Sequence, residues 1–325
     1  MSGILWLGLM ACQTNDKTQE SNDWQVIERE IGPGILLSAW SDQDDVLMVG
    51  GGMYGQGPGV LVHYSPSENK YCWKTLVEEQ ALWWIHGDGA GTWWAVGDNG
   101  VVIRNENGTM TREDIDTDLD LYGVYYDGET VWAVGGDIDD RIGVIYRRDE
   151  NGWQTYAENL PGVVFKVYDG FFVGDQVAYR LDNDTDSLVD LENDDRLITI
   201  RGEDSDNMWA VGGQSSAVVK NWNGTEWILP DITGLSLPLN GVWTATNETV
   251  WVGGMSGTQG YLNEDGTWSV PDYPLTSDHF HAVWRHGDET LFIGGNFLSS
   301  APPYHGTVVR YGPTKEQPVV EECEE

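Results

Sequence analysis

Basic residues are scarce in this chain. Its 325 residues include 17 Lys and Arg against 53 Asp and Glu, a formal net charge of −36. Such a field repels phosphate backbones and anionic headgroups, which argues against nucleic acid as a partner and against electrostatic attachment to a membrane. Cysteine is nearly absent, with only Cys12, Cys72 and Cys323. No stretch approaches the roughly 20 apolar residues of a membrane-spanning helix, and no helical hydrophobic period runs through any segment. Hydrolase signatures are missing too: there is no Gly-x-Ser-x-Gly elbow and no His-Glu-x-x-His. Without a Cys-x-x-Cys pair, a structural zinc site is not expected. Gly50-x-Gly52-x-x-Gly55 matches a dinucleotide fingerprint by letter, but a hairpin follows it and no helix N-terminus is there to hold a pyrophosphate.

Glycine and tryptophan are abundant, at 41 and 17. They recur together. Val131-Trp132-Ala133-Val134-Gly135 returns as Trp93-Trp94-Ala95-Val96-Gly97, Met208-Trp209-Ala210-Val211-Gly212 and Val250-Trp251-Val252-Gly253. Weaker copies close on Gly50, Gly174 and Gly294. The spacing is roughly 40 residues, the length of one four-stranded propeller blade. A second phrase precedes each copy, as in Leu82-x-x-Ile85-His86, Leu121-x-x-Val124-Tyr125, Leu197-x-x-Ile200-Arg201 and Leu239-x-x-Val242-Trp243. A polar turn such as Asp127-Gly128 joins the two strands. A third strand follows the glycine, and a fourth centres on a tryptophan, as in Asn151-Gly152-Trp153. The seventh repeat lacks its tryptophan strand, and Asp23 to Arg29 supplies an orphan one at the other end of the chain. The expected fold is therefore an all-β, seven-bladed propeller of four-stranded antiparallel blades. Its ring is closed by the N-terminal strand, which removes an open sheet edge.

The aromatic-glycine repeat resembles that of bacterial propellers of the WD40, YVTN and BNR-like kind, which are often carried on lipoproteins. Asp265-Gly266-Thr267-Trp268 is similar to the Asp-box of sialidase-type propellers, with one residue fewer before the glycine. These motifs specify turns, not chemistry, so family catalysis does not follow. At the N-terminus, Leu9-Met10-Ala11-Cys12 resembles a bacterial lipobox. The resemblance implies a signal peptide over 1–12, a lipid on the Cys12 thiol, a tether over 13–22 and an outer-membrane location facing the periplasm or the exterior. The propeller then spans 23–312, and 313–325 is an acidic tail. With Cys12 lipidated, Cys72 and Cys323 remain as a candidate disulfide in an oxidising compartment.

Two candidate sites emerge. Asp182, Asp184, Asp186 and Asp190 alternate in one loop, and calcium takes six to eight oxygen ligands. The spacing resembles the calcium loops of integrin-type propellers. However, Ser187 stands where a sharp bend wants glycine, and Asn193 where a bidentate Glu is expected. A plain acidic turn is the alternative. The second candidate is a ligand-binding face. Long loops in blades one and seven, neighbours in a closed ring, would gather Met53, Tyr54, His279, His281, Phe297, Tyr304 and His305. Exposed aromatic loops on a rigid frame suit a protein or polysaccharide partner. The aromatic slot Trp40, Tyr125, Tyr168, Trp243 and Trp284, repeated once per blade, is expected to pack between blades. The composite expectation is a lipid-anchored, non-enzymatic binding scaffold. The alternative is a glycoside hydrolase or lyase on the same frame.

Overall fold

Short runs rich in Val, Ile, Trp and Tyr, punctuated by Gly, Asn and Asp, form strands that turn back on themselves. The computed structural model describes residues 22–28, 31–246 and 249–324. Cys12 lies outside the described residues. Seven antiparallel meanders follow one another around a central channel. Their innermost strands are Ile35–Asp42, Leu82–Gly87, Asp120–Tyr126, Val164–Tyr168, Leu197–Asp204, Leu239–Trp243 and His279–His286.

Each innermost strand carries the same irregularity. The register with the second strand slips after Leu36, Leu82, Leu121, Val164, Leu197, Leu239 and Phe280, leaving one residue unpaired each time. This β-bulge has a counterpart in the glycine that ends the repeat. Gly135 pairs with Leu121, and a Cβ there would come within 1.9 Å of the Asp120 carbonyl oxygen. No side chain fits, so the bulge and the glycine require each other. In blade six the expected glycine, Gly253, is one place early. Gly254 pairs with Leu239 and meets the Pro238 oxygen, while Gly253 takes the slot filled elsewhere by valine.

The core lies between blades. Leu82 and Ile85 pack with Trp93, and Leu121 and Val124 with Trp94. Trp132 and Trp251 are buried as expected of core residues, whereas Trp209 is only partly buried against its cluster.

Both chain ends fasten the seam between blades seven and one. Asn22–Glu28 pairs antiparallel with Gly306–Pro313 and completes blade seven. Trp24 there lies 4.8 Å from Tyr311 and 5.4 Å from Phe292, ring to ring. Beneath it Arg310, 1% exposed, donates to Glu289 at 3.1 Å and to Gln25, and Tyr64 of blade one donates to Glu289 at 2.9 Å. Lys315 completes this buried network with a 2.6 Å pair to Glu289. The acidic tail is not free. Val319–Glu322 adds a fifth strand to blade one, parallel to Lys70–Val77. A disulfide joins Cys72 to Cys323 with a Cα separation of 4.9 Å. Linking positions 251 residues apart restricts the unfolded chain by on the order of 5–6 kcal/mol in a chain-entropy account.

Candidate binding site at the channel mouth

The bulge decides what faces the channel. In a regular strand, residues three apart point to opposite faces, yet Leu82 and Ile85 pack into one cluster. The extra residue restores their phase and is itself turned out of the ladder. Six such residues, Trp83, Tyr122, Phe165, Ile198, Asn240 and His281, line one pocket of about 230 Å³ at the mouth. Leu37, the seventh, packs beside Met53 and Tyr304.

At the other end, the repeated aromatic slot seals the axis. Trp40, His86, Tyr125, Tyr168, Arg201, Trp243 and Trp284 come one from each blade. Ring centroids lie 4.1 Å apart for Trp40–His86, 4.4 Å for His86–Tyr125, 5.2 Å for Tyr125–Tyr168, 4.4 Å for Trp243–Trp284 and 5.4 Å for Trp40–Trp284. The Arg201 guanidinium bridges the remaining gap, 3.5 Å from the Trp243 centroid and 5.3 Å from that of Tyr168. The slot does pack between blades, and it does so at the channel itself. Burial, followed by Arg201, drives the His86 pKa well down.

Lys166 sits between seal and mouth. It is 2% exposed and lines cavities on both sides. Its ammonium nitrogen donates to the Tyr122 carbonyl at 2.5 Å and lies 3.9 Å from the centroid of Trp84. Gly123 lets blade three approach the blade-four backbone that carries Lys166. A Cβ on Gly123 would stand 2.8 Å from the Phe165 oxygen and 3.2 Å from the Lys166 Cα. The carbonyl and the indole face favour the charged amine, but they do not replace lost water, and burial pushes its pKa well down.

The mouth pocket continues into a groove of about 660 Å³. Trp83, Tyr122, Ile138 and Phe297 line both. Asp98, Asp118, Asp120, Asp137 and Asp139 line only the groove. Two of these carboxylates hold the aromatic wall in place. Asp98 accepts from the Trp83 indole at 2.6 Å and from the Ala81 amide at 2.9 Å, and Asp120 accepts from the Tyr122 hydroxyl at 3.3 Å. Burial raises the Asp98 pKa despite these bonds, and Asp120 adds to the rise. Burial also raises the pKa of Tyr122, with Asp120 next.

The residues expected from sequence divide. Phe297 lies 6.3 Å from Trp83 and 5.6 Å from His281, ring to ring, so these belong to the mouth. Met53 and Tyr304 are buried beside it, the Tyr304 hydroxyl donating to the Met53 carbonyl at 3.3 Å. The side chain of Tyr54 lies outside the described residues. The histidines do not converge. The His281 imidazole meets the Leu37 oxygen at 2.6 Å, and burial, with Lys166 next, lowers its pKa to about 3. His279 accepts from the Ser256 amide at 2.8 Å, and His305 pairs with Asp278 at 3.1 Å. The sequence reading passed over Trp83, Tyr122, Phe165 and Lys166, which occupy the two blank positions of the Leu-x-x-Val motif.

The acidic loop of blade four is a hairpin turn between Ala178–Asp182 and Ser187–Asp190. Asp182 accepts from the Asp184 amide, Asp186 pairs with Arg147 at 2.9 Å, and Asp190 accepts from the Glu192 amide. The carboxylates of Asp182 and Asp190 brace turns and that of Asp186 an ion pair. Among the described residues, no group of three or more His, Cys, Asp or Glu is placed to hold a metal ion.

No protein-family model matches the chain, and no curated protein does. Several solved structures share its architecture. YCF48 bound to a D1 peptide is 14% identical, with a TM-score of 0.66 over 91% of this chain and 98% of that one. A catalytically inactive virginiamycin B lyase from Staphylococcus aureus with quinupristin is 11% identical, with a TM-score of 0.71 over 90% and 99%. The WD40 propeller domain of Doa1 is 10% identical, with a TM-score of 0.65 over 90% and 98%. At such identities the likeness is one of fold alone: this chain is an all-β, seven-bladed propeller.

Proposed function

We propose that this chain is an extracytoplasmic scaffold, anchored by a lipid on Cys12, that binds a segment of a partner polypeptide at its channel mouth without turning it over. One observation carries the reading: an open groove in which five carboxylates face an aromatic wall of Trp83, Tyr122 and Phe297. Such a surface suits a basic, extended segment, whose cations meet the aspartates while its apolar side chains stack on the rings. Propeller neighbours include one bound to a peptide, which supports a polypeptide over a polysaccharide. The lipobox-like Leu9-Met10-Ala11-Cys12 supports the anchor.

Calorimetric titration of a lysine-containing peptide into the full chain tests the binding. Expected is saturable binding that weakens about tenfold when Asp118 and Asp137 are both changed to Asn. Tight binding of a neutral oligosaccharide instead, unaffected by those changes, would overturn the polypeptide reading. Cys12→Ala should release the protein from membranes.

A second reading has one observation in its favour. Asp98, its carboxyl pKa raised by burial and by Asp120, stands beside Trp83 as a general acid would in a glycoside hydrolase. Both of its oxygens already accept hydrogen bonds within the fold, which favours an anchoring role. Turnover on a polysaccharide panel, lost in Asp98→Asn, would reverse that order.

A further inference from the structure

Among the described residues, no Asp or Glu lines the mouth pocket, although the chain has 53 of them. Two cations do line it, Lys166 and Arg196. Arg196 is already held by Asp175, at 3.1 and 3.2 Å to its two oxygens, so most of its charge is answered. Lys166 has no carboxylate within salt-bridge distance among the described residues. Its neighbours are apolar or aromatic: Trp84, Phe165 beside it in sequence, and Tyr122 on the adjacent blade. Two imidazoles share cavities with it, His281 and His86, and burial lowers the pKa of both.

We propose that Lys166 forms the base of a carboxylate subsite, in which the mouth pocket takes the terminal carboxylate of the partner chain while residues upstream lie along the acidic groove. This rests on the polypeptide reading given above. The argument is one of complementarity. An amine buried without a counter-ion is the strongest unmet demand at the mouth, and an anion with an apolar body would satisfy both the amine and its aromatic walls. The groove beside it has the opposite sign, so the mouth matches a ligand with a negative end and a positive stretch a few residues away. Gly123 serves the same arrangement, because a side chain there would press on the Phe165 oxygen and the Lys166 Cα and push the strand that carries Lys166 away. Burial pushes the Lys166 pKa down, and a carboxylate arriving beside the amine favours its ammonium form, so binding is linked to proton uptake.

Sodium phenylacetate and its neutral isostere phenylacetamide are titrated calorimetrically into the full chain, in two buffers of different ionisation enthalpy. The expected result is at least about tenfold tighter binding of the acid, with net proton uptake on binding. In Lys166→Met, which preserves side-chain length, the preference disappears. Equal binding of acid and amide by the wild type, binding of neither, or a preference that survives Lys166→Met would overturn the subsite.

A tetrapeptide with an acetylated lysine first and phenylalanine last, as free acid and as C-terminal amide, then tests the source of the carboxylate. Preference for the free acid supports a chain terminus. Equal affinity, with phenylacetate still preferred over its amide, overturns the terminus and leaves a free small acid as the ligand. Failure of the polypeptide reading is distinct from either outcome. It would show as no binding of the peptide amide to a wild-type chain that still binds phenylacetate.

Discussion

The two halves of the channel mouth share Trp83, Tyr122, Ile138 and Phe297, yet they are electrostatic opposites. The groove has five aspartates, with Asp118 and Asp139 exposed to water. The pocket has a lysine that is 2% exposed. The difference shows how burial, more than the sign of a charge, decides what a charged group does. An exposed aspartate is screened by solvent and acts on its partner at a distance. A buried lysine acts on the fold itself and waits for a specific anion.

Reversing charge in each half breaks the comparison most sharply. Lys166→Glu places an unpaired carboxylate in the channel and should cost about 3–5 kcal/mol in urea denaturation. Asp118→Lys, the same reversal in the exposed groove, should leave the unfolding midpoint within error of wild type. Equal effects would mean that the two sites are equally wet.

The shared wall comes next. Trp83→Ala removes an aromatic surface common to both halves and leaves Asp98 without its indole donor. A loss of about 2 kcal/mol in stability is expected, together with weakened binding of both basic peptides and phenylacetate. Loss of only one ligand would show that the halves work independently.

Salt separates them further. Raising ionic strength from roughly 0.05 M to 0.5 M should weaken the basic peptide amide about tenfold and phenylacetate less than about twofold, because the buried partner is poorly screened. A further test concerns pH. The His281 pKa falls from 6.5 to about 3 on folding, so between these values the unfolded chain holds the extra proton. Its contribution to stability is present above pH 6.5 and is lost as pH falls toward about 3. The stability of wild type relative to His281→Gln should decline across that window in acid denaturation, and a flat difference would place His281 in water.

Much of the frame was legible in the sequence. The Trp-Ala-Val-Gly phrase located the seven second strands, and the orphan Trp24 segment marked the closing one. These signals are strong because close packing leaves little choice. Trp94, Trp132 and Trp251 fill inter-blade gaps, and a glycine admits the carbonyl beside each bulge. Gly253 misled because Gly254 follows it, and two adjacent glycines do not reveal which one is pressed. The mouth was less legible for the opposite reason. Residues at Leu37, Trp83, Tyr122, Phe165, Ile198, Asn240 and His281 share no chemistry, so they look like blanks between conspicuous neighbours. The clue was geometric. Leu and Val three apart do not share a face of a regular strand, and a motif that places them there implies an inserted residue pointing elsewhere. Lys166 was hidden because its setting depends on Gly123, 43 positions away in the chain and in another blade.

The bulge also bears on how such a mouth can change over generations. The residue at each bulge stands outside the hydrogen-bond ladder, and its leucine and glycine partners hold the register whatever it is. Seven positions around the opening can therefore be rewritten one at a time, like letters on a fixed dial, without disturbing the blades that carry them. A lineage that altered only these letters would keep its architecture and acquire a new correspondent.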